Sequence, residues 1–397
     1  MKPAFIFTDN MVLQRNKPIK IFGEGDGEVT VTLGGTGVSV IPQNGKWCAV
    51  LPEMEAGGPY TLEIGDQNEK FSFKNVYVGE VFIAAGQSNM EHPLFGTTGG
   101  FEFARKNQNP LIRLFTVPRR TAPGALEYTW HFETVYSGDT EWSQADEDIS
   151  LHFSAVGFYF ASLLQKKLGI AVGIISCNQG ASRIETWIDE KMLEGTDICE
   201  KLLKSAKDSV YNADPEGYAK MYKEYSEALN EACLKADAFS LAKTSLFGVA
   251  NNEALVGKPS PIAFGPRHIN WPGVLYHNMV ERFAPFAVKA VLWYQGESNC
   301  ENAEHYFDAF KTLTECWRGA FRDNLPFLTV RISEWGGAWR GWDTVQKNQD
   351  RAAKEIEGVY IVQSADIGEV NNIHPVNKYP IGERLYEKYL EISNGEN

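Results

Sequence analysis

The stretch FIAAGQSNME, residues 82–91, sets an apolar run against a glycine and then one hydroxyl, Ser88, between Gln87 and Asn89. A serine hydroxyl is a weak nucleophile until a base takes its proton. Acyl chemistry at it also needs N–H donors where negative charge develops on the substrate oxygen. The histidines that could serve as base are His92, His131, His152, His268, His277, His305 and His374. His374 stands out by its setting. It follows the last strand-like run, in SADIGEVNNIHPVNKYPIGERL, just before a terminal helical pattern. A loop placed there can fold over the sheet edge from which Ser88 emerges. A structural role for that ring stays open, and His92 competes because it is so close to Ser88 in sequence. Gly86 permits a tight turn and close backbone approach, which would aim the amides after Ser88 into a site. Gly180, at the end of IISCNQG, and the side-chain amide of Gln295 are two further candidate donors. Each taken singly is an ordinary turn or strand-end residue. Three strand ends and one late histidine together raise the odds of a site.

The elements that must position these residues change character along the chain. Residues 1–75 contain IKIFGEG, EVTVTLGG, GVSVIPQNG, KWCAVLP and YTLEIGD. Their polar–apolar alternation and Gly, Asp and Asn punctuation predict short antiparallel strands in a small sandwich. The glycines of GEGDGE and GGTG have no helix after them, so they read as hairpin turns, not as a phosphate loop. From residue 76 onward, VYVGEVFIAAG, AVGIISCNQG, KAVLWYQGES, LPFLTVRIS and GVYIVQSAD are short apolar runs. Helical patterns, SAVGFYFASLLQKKLG and HYFDAFKTLTECWRGAF, lie between them. This alternation predicts an α/β fold with a mainly parallel sheet, whose chemistry lies beyond the carboxyl ends of the strands. Ser88, Gly180 and Gln295 all follow such ends. Residues 189–260 are charged and helical in pattern, and are expected to be an insertion between strands of the 76–397 domain.

Composition narrows the function classes. The chain has 397 residues, 43% of them hydrophobic, and a formal net charge of −13. That length carries a sizeable core and two or three domains. The acidic balance and the lack of a basic stretch argue against nucleic acid as a partner. No apolar run is long enough to span a bilayer. The N-terminus lacks the long apolar core of a secretory signal, so the expectation is a cytoplasmic protein, or a secreted one whose signal peptide has been trimmed. The six cysteines are scattered without metal-ligand spacing and are expected to be reduced thiols.

The motifs GQSNM, FSAVGFYFASLLQKKLGIAVGIISCNQGASRIETWI, WPGVLYHNM, VLWYQGESN and IHPVNKYPIGERL resemble the SGNH (GDSL-type) hydrolase superfamily. More narrowly they resemble its sialate O-acetylesterase branch and related carbohydrate acetylesterases. DNMVLQRNKPIKIFG and GGPYTLEIG resemble the small β domain that precedes the hydrolase there. The resemblance implies a flavodoxin-like three-layer α/β/α domain with a mainly parallel sheet, preceded by an all-β sandwich. It also implies roles by position. Ser88 is the nucleophile and His374 the general base. The backbone amides of Ser88 and Gly180 form the oxyanion hole. Gln295 takes the place of the third-block asparagine, with Glu297 orienting it or bonding a neighbouring loop. The family's aspartate, two or three residues before the histidine, is replaced by Asn371 and Asn372. Asn cannot supply the charge that stabilises imidazolium, though its carbonyl can orient the ring. Asp366 and Glu369 are the carboxylates that could reach it instead.

The function that follows is serine-esterase hydrolysis of O-acetyl groups on carbohydrate, sialate first and acetyl-xylan second, with no metal or organic cofactor. The loop SEWGGAWRGW offers Trp335, Trp339 and Trp342 for stacking on a sugar, or for covering the core. Arg183, Arg267 and Arg340 are candidates to clamp a sialate carboxylate. Two other readings remain: a catalytically impaired carbohydrate-binding protein, and a lipase- or thioesterase-like hydrolase of the same superfamily. Oligomeric state is not readable from the chain.

Overall fold

The computed structural model describes residues 1–118, 141–207 and 268–395, with a few isolated positions between 214 and 224. The chain divides into two compact units. One comprises Met1–Val117, Thr140–Ser182 and Glu281–Asn397; the other comprises Pro118–Asp139 and Arg183–Val280.

In the first unit the N-terminal segment forms antiparallel strands, as its alternation predicts. Ile19–Glu24 pairs with Lys46–Leu51. Val29–Leu33 pairs with Thr36–Val40 and with Gly57–Gly65. Along Val29–Leu33 the residues alternate buried and accessible, the signature of a sheet covered on one face. The glycines of GGTG lie at the hairpin that sets Leu33 against Thr36, so the turn reading holds.

The strand that follows, β1 (Lys70–Gly86), is 17 residues long. Its first part pairs antiparallel with Gly57–Gly65, and its last part enters the parallel sheet. Six further strands complete that sheet: β2 (Asn109–Thr116), β3 (Ser143–Ala145), β4 (Val172–Asn178), β5 (Ala290–Tyr294), β6 (Phe327–Val330) and β7 (Val359–Val362). The order across the sheet is β3-β2-β4-β1-β5-β6-β7. Along this path the edge strand β3 alone runs antiparallel to its neighbour, while Gly57–Gly65, Val29–Leu33 and Thr36–Val40 join the same sheet antiparallel through the first part of β1. β4 and β5 are buried at every residue, as strands covered on both faces must be.

Both faces carry helices. Helices α2 (Ala155–Leu168) and α5 (Tyr379–Gly395) share a core with Phe82, Ala84, Ile174 and Leu292. Trp293 points to the opposite face and meets Phe310 and Trp317 of α3 (Tyr306–Phe321) edge-on. α4 (Trp342–Glu355) follows β6. Successive residues of β5 thus serve opposite layers, and the three-layer α/β/α architecture follows. The chain leaves β1 for one side of the sheet and later returns to its other side at β5. The crevice beyond the carboxyl end of β1 is therefore the switch point where such sheets bind ligands.

In the second unit, Asp189 caps a short helix, Glu190–Leu193, and Asp197–Lys207 forms a longer one. Most of the expected insertion after residue 207 lies outside the described residues. Among the described residues no helix is long and apolar enough to cross a membrane. Among the described residues no disulfide joins Cys48, Cys177, Cys199, Cys300 or Cys316; Cys233 lies outside the described residues.

Candidate active site

β1 ends at Gly86, whose φ of +140° lies where side chains are strained. A Cβ there would stand 2.1 Å from the Tyr294 carbonyl oxygen. Glycine alone lets β1 and β5 run this close to their ends. The chain then turns into α1 (Ser88–Glu91), with Gln87 as its cap. The buried side chain of Gln87 accepts from the backbone N–H of Gly296 at 3.3 Å and of Ser298 at 3.2 Å. The turn that carries Ser88 and the loop after β5 are thereby tied together. Ser88 stands at the first helical position, where a backbone N–H has no intrahelical acceptor.

His374 meets this turn from the loop between β7 and α5. Its Nε2 lies 2.8 Å from Ser88 Oγ. His92, the competing base, has its ring centroid 6.5 Å from that of His374, and its Nδ1 faces the Pro93 carbonyl at 3.2 Å. Of the two, His374 is the ring within hydrogen-bond reach of the hydroxyl. Burial pushes both imidazoles down to about 4, and the Lys378 cation adds to the effect on each. Both rings are therefore neutral near pH 7, and a neutral Nε2 can accept the serine proton when the ring hydrogen sits on Nδ1.

Gly180 lies at the same point. A Cβ on it would be 3.5 Å from Ser88 Cβ. Its N–H donates to the Glu91 carboxylate, Oε2, at 2.6 Å. Ser88 and Glu91 are three apart on α1, so both project from one face of that turn. The glycine is where the resemblance puts an oxyanion donor, but its amide already holds an anion from within the chain.

Gln295 does not present its amide to the Ser88 hydroxyl. The side chain is fully buried, and Nε2 has three protein acceptors: Gln87 Oε1 at 3.2 Å, the Ser182 carbonyl at 3.1 Å and Asn299 Oδ1 at 2.6 Å. Its Oε1 accepts from Tyr306 at 3.1 Å. With two hydrogens and three acceptors, no donor is left over for a substrate oxygen. The expected third donor is corrected to a brace beneath the site.

Glu297 does not orient Gln295 either. Its Oε1 accepts from Asn89 Nδ2 at 2.5 Å. Asn89 Nδ2 also donates to the Ile373 carbonyl at 3.1 Å, and Asn89 Oδ1 accepts from Lys378 Nζ. Asn89, Glu297 and Lys378 are all buried. Burial raises the Glu297 carboxyl above its usual range and lowers the Lys378 ammonium to about 7. The sequence reading missed Asn89 and Lys378. Each sits beside a catalytic candidate, in GQSNM and in IHPVNK, and that adjacency was the only signal.

Asn372 Oδ1 accepts the backbone N–H of His374 at 2.9 Å, while Asn371 is exposed. Asp366 is held by the Arg384 guanidinium through bonds of 2.7 and 2.6 Å. Glu369 accepts from the Val376 N–H at 2.7 Å. Neither carboxylate takes the place of the absent aspartate.

The tryptophan loop is a cluster of its own. Trp335 and Trp339 meet edge-on with centroids 5.3 Å apart, and Trp342 is buried with its Nε1 on the Ser333 carbonyl. Trp339 is 51% exposed. The Gly336 N–H donates to the Val370 carbonyl at 3.1 Å, which ties this loop to the one carrying His374. Arg340 is exposed on the same loop. Arg183 lies in the second unit, with its N–H on Asn270 Oδ1 at 2.7 Å, and Arg267 lies outside the described residues. Among the described residues one set of potential metal ligands converges, Asp189, Glu190 and His277, with atoms within 4.8 Å. It too lies in the second unit, and His277 Nε2 is already 2.6 Å from Glu190 Oε2.

Comparison with known proteins agrees with the motifs. A family model described as "Carbohydrate esterase, sialic acid-specific acetylesterase" matches residues 239–391. The mouse sialate O-acetylesterase is 25% identical over 98% of this chain and 73% of its own length. The human sialate O-acetylesterase is 24% identical over 99% of this chain and 71% of its own. Among solved structures, a carbohydrate acetylesterase from Xanthomonas citri superposes with a TM-score of 0.74 at 25% identity, covering 99% of this chain and 75% of that one. These matches support the sialate O-acetylesterase branch of the SGNH hydrolases.

Proposed function

We propose that this chain is a serine esterase that removes O-acetyl groups from carbohydrate, with sialate as its first substrate, and that Ser88 and His374 are its catalytic pair. The comparisons support a carboxylic ester hydrolase acting on acetylated carbohydrate. The observation that carries the site assignment is the 2.8 Å contact between His374 Nε2 and Ser88 Oγ, at the switch point of the sheet.

In the first half-reaction Ser88 Oγ attacks the acetyl carbonyl carbon while His374 Nε2 takes the hydroxyl proton. The electron pair of the carbonyl moves onto its oxygen, which is received by the N–H groups of Ser88 and Gly180. Before that oxygen reaches the Gly180 amide it must displace the Glu91 carboxylate. Collapse breaks the bond to the sugar oxygen, and His374 gives its proton to the departing alkoxide. In the second half-reaction His374 takes a proton from water, whose oxygen attacks the acetyl carbon. Return of the proton to Ser88 releases acetic acid, which ionises in solvent. Every proton moved within the site is carried by His374.

Sugar recognition is assigned to the exposed face of the tryptophan loop, Trp335 and Trp339, with Arg340 able to meet a substrate carboxylate. Arg183 and Arg267 remain candidates from the sequence alone. An acetyl-xylan substrate uses the same chemistry and needs no cation.

The test is acetate release from O-acetylated sialic acid and from acetyl-xylan, with Ser88→Ala alongside. Release from the sialic acid that disappears in Ser88→Ala is the expected result. Release only from xylan keeps the mechanism and moves the substrate. No release from either, with Ser88 unreactive toward a fluorophosphonate, favours the impaired carbohydrate-binding reading.

A further inference from the structure

The ring of His374 lacks the support that its neighbours in sequence lead one to expect. Among the described residues its ring nitrogens have one hydrogen-bond partner, Ser88 Oγ. The carboxylates nearest in sequence are engaged elsewhere: Asp366 by Arg384, and Glu369 by the Val376 N–H. Yet a base that is to work on a hydroxyl must be aimed to within a fraction of an ångström.

We propose that Lys378 is a positioning residue for His374, acting through Asn89 and the Ile373 carbonyl on the loop that carries the ring. The proposal rests on the reading of His374 as the base.

One side-chain amide joins the two halves of the site. Asn89 follows the nucleophile. Its Nδ2 holds the carbonyl of Ile373, the residue just before the base, and its Oδ1 holds Lys378, four residues after the base. The loop carrying His374 is therefore fastened on both sides of the ring to the turn carrying Ser88. With Glu297 ionised and Lys378 charged, the direction of the amide is fixed by its partners, because a carboxylate can only accept and an ammonium can only donate. Glu297 demands the NH2 group and Lys378 demands the oxygen. Without Lys378 only Glu297 fixes the direction of the amide, and the loop loses its fastening on the far side of the base. Lys378 also lies 5.4 Å from the centroid of the Tyr294 ring. Burying an ammonium is a poor route to stability, so a role in aiming the base gives the cation its reason.

The sign of the charge also matters. His374 is faced by Glu91 from α1, by Lys378 from its own loop, and by the neutral ring of His92. Lys378 in turn is faced by Glu297 from the loop after β5 and by Glu369 from its own loop. An aspartate would make the imidazole a stronger base; Lys378 makes the imidazolium a stronger acid. A sugar alkoxide is a poor leaving group, and a strong acid at its oxygen helps most in the step that breaks that bond.

The test uses the full chain with Lys378→Met and Asn89→Asp, reading kcat and KM on p-nitrophenyl acetate and on an acetylated sugar from pH 4 to 9, with thermal midpoints alongside. Asn89→Asp keeps the side-chain volume and an acceptor for Lys378 but removes both donated bonds. Each variant is expected to lower kcat by roughly ten- to a hundredfold with KM changed less than about threefold. In Lys378→Met the acid limb of kcat/KM is expected to move up from about 4, but not to the open-chain value, because burial is the larger cause of the depression and remains. Unchanged kcat and an unmoved acid limb in Asn89→Asp, with only the thermal midpoint lowered, would make the cluster a brace and overturn the proposal. Should Lys378→Met fail to fold, Asn89→Asp decides alone. If the unmodified chain shows neither Ser88-dependent hydrolysis nor Ser88 labelling by a fluorophosphonate, the functional reading itself falls and the proposal falls with it.

Discussion

Around Ser88 the polar side chains are buried and bonded across long stretches of sequence: Gln87 to Gly296 and Ser298, Asn89 to Glu297 and Lys378. The loop from Ser333 to Trp342 is built the other way. Its aromatic rings meet mainly one another, Trp339 stands half out into solvent, and its link to the His374 loop is made through backbone groups. Chemistry demands atoms held to fractions of an ångström, which buried, fully bonded amides and charges provide. Recognition of a sugar demands surface that the sugar can reach. The contrast suggests that substitutions in the first region act on kcat, and those in the second on KM.

The sharpest break would come from Ser88→Ala and His374→Ala. Each is expected to lower acetate release by about three orders of magnitude or more, measured as kcat with the fold checked by thermal melting. A loss below tenfold in either would move the chemistry away from this cluster.

Glu91 refines the picture, because it belongs to the same turn as Ser88 and accepts from the Gly180 amide that is proposed to receive the substrate oxygen. Glu91→Ala frees the Gly180 amide and removes a like charge. Acetate is therefore expected to inhibit about tenfold more tightly, the scale of one charge-assisted hydrogen bond. An unchanged inhibition constant would mean that the carboxylate does not hold this amide in solution.

For the exposed region, Trp339→Ala is expected to raise KM for an acetylated sugar roughly three- to tenfold while leaving hydrolysis of p-nitrophenyl acetate as it was. An equal effect on both substrates would deny the loop a role in sugar recognition.

The smallest effect concerns pH and stability. His92 and His374 titrate at about 4 in the fold, against 6.5 in an open chain. Between those values the unfolded chain binds more protons than the folded one, so stability falls as pH drops from about 6.5 to about 4. The thermal midpoint is expected to decline by a few degrees over that window, and less steeply in His92→Gln. A midpoint that is flat with pH would show that the rings are not held neutral.

Much of the sheet was legible because buried strands and amphipathic helices leave strong local patterns. The runs around β1, β4, β5, β6 and β7 and the helices α2 and α3 all stand out. β2 does not, because NPLIRLFT carries Arg113 in its middle. That guanidinium is nonetheless buried, set over the Tyr77 ring and bonded to Asn10 Oδ1 at 3.1 Å. No local pattern announces a charge whose partners lie so far away in the chain. Gln295 shows the reverse. Its strand-end position was correctly read, but which way its amide points depends on Asn299, Ser182 and Gln87.

The sequence by itself determined which residues could react and which strand ends would carry them, because periodicity and glycine placement act over a few residues. The tertiary structure alone decided that His374, not His92, meets the Ser88 hydroxyl, and that Glu91 covers the Gly180 amide. It alone turned Asn89, Glu297 and Lys378 into one buried chain. These outcomes depend on distances between residues as many as 289 positions apart. Such distances are set only when the sheet closes around β1 and the polar groups at its end must find partners away from water.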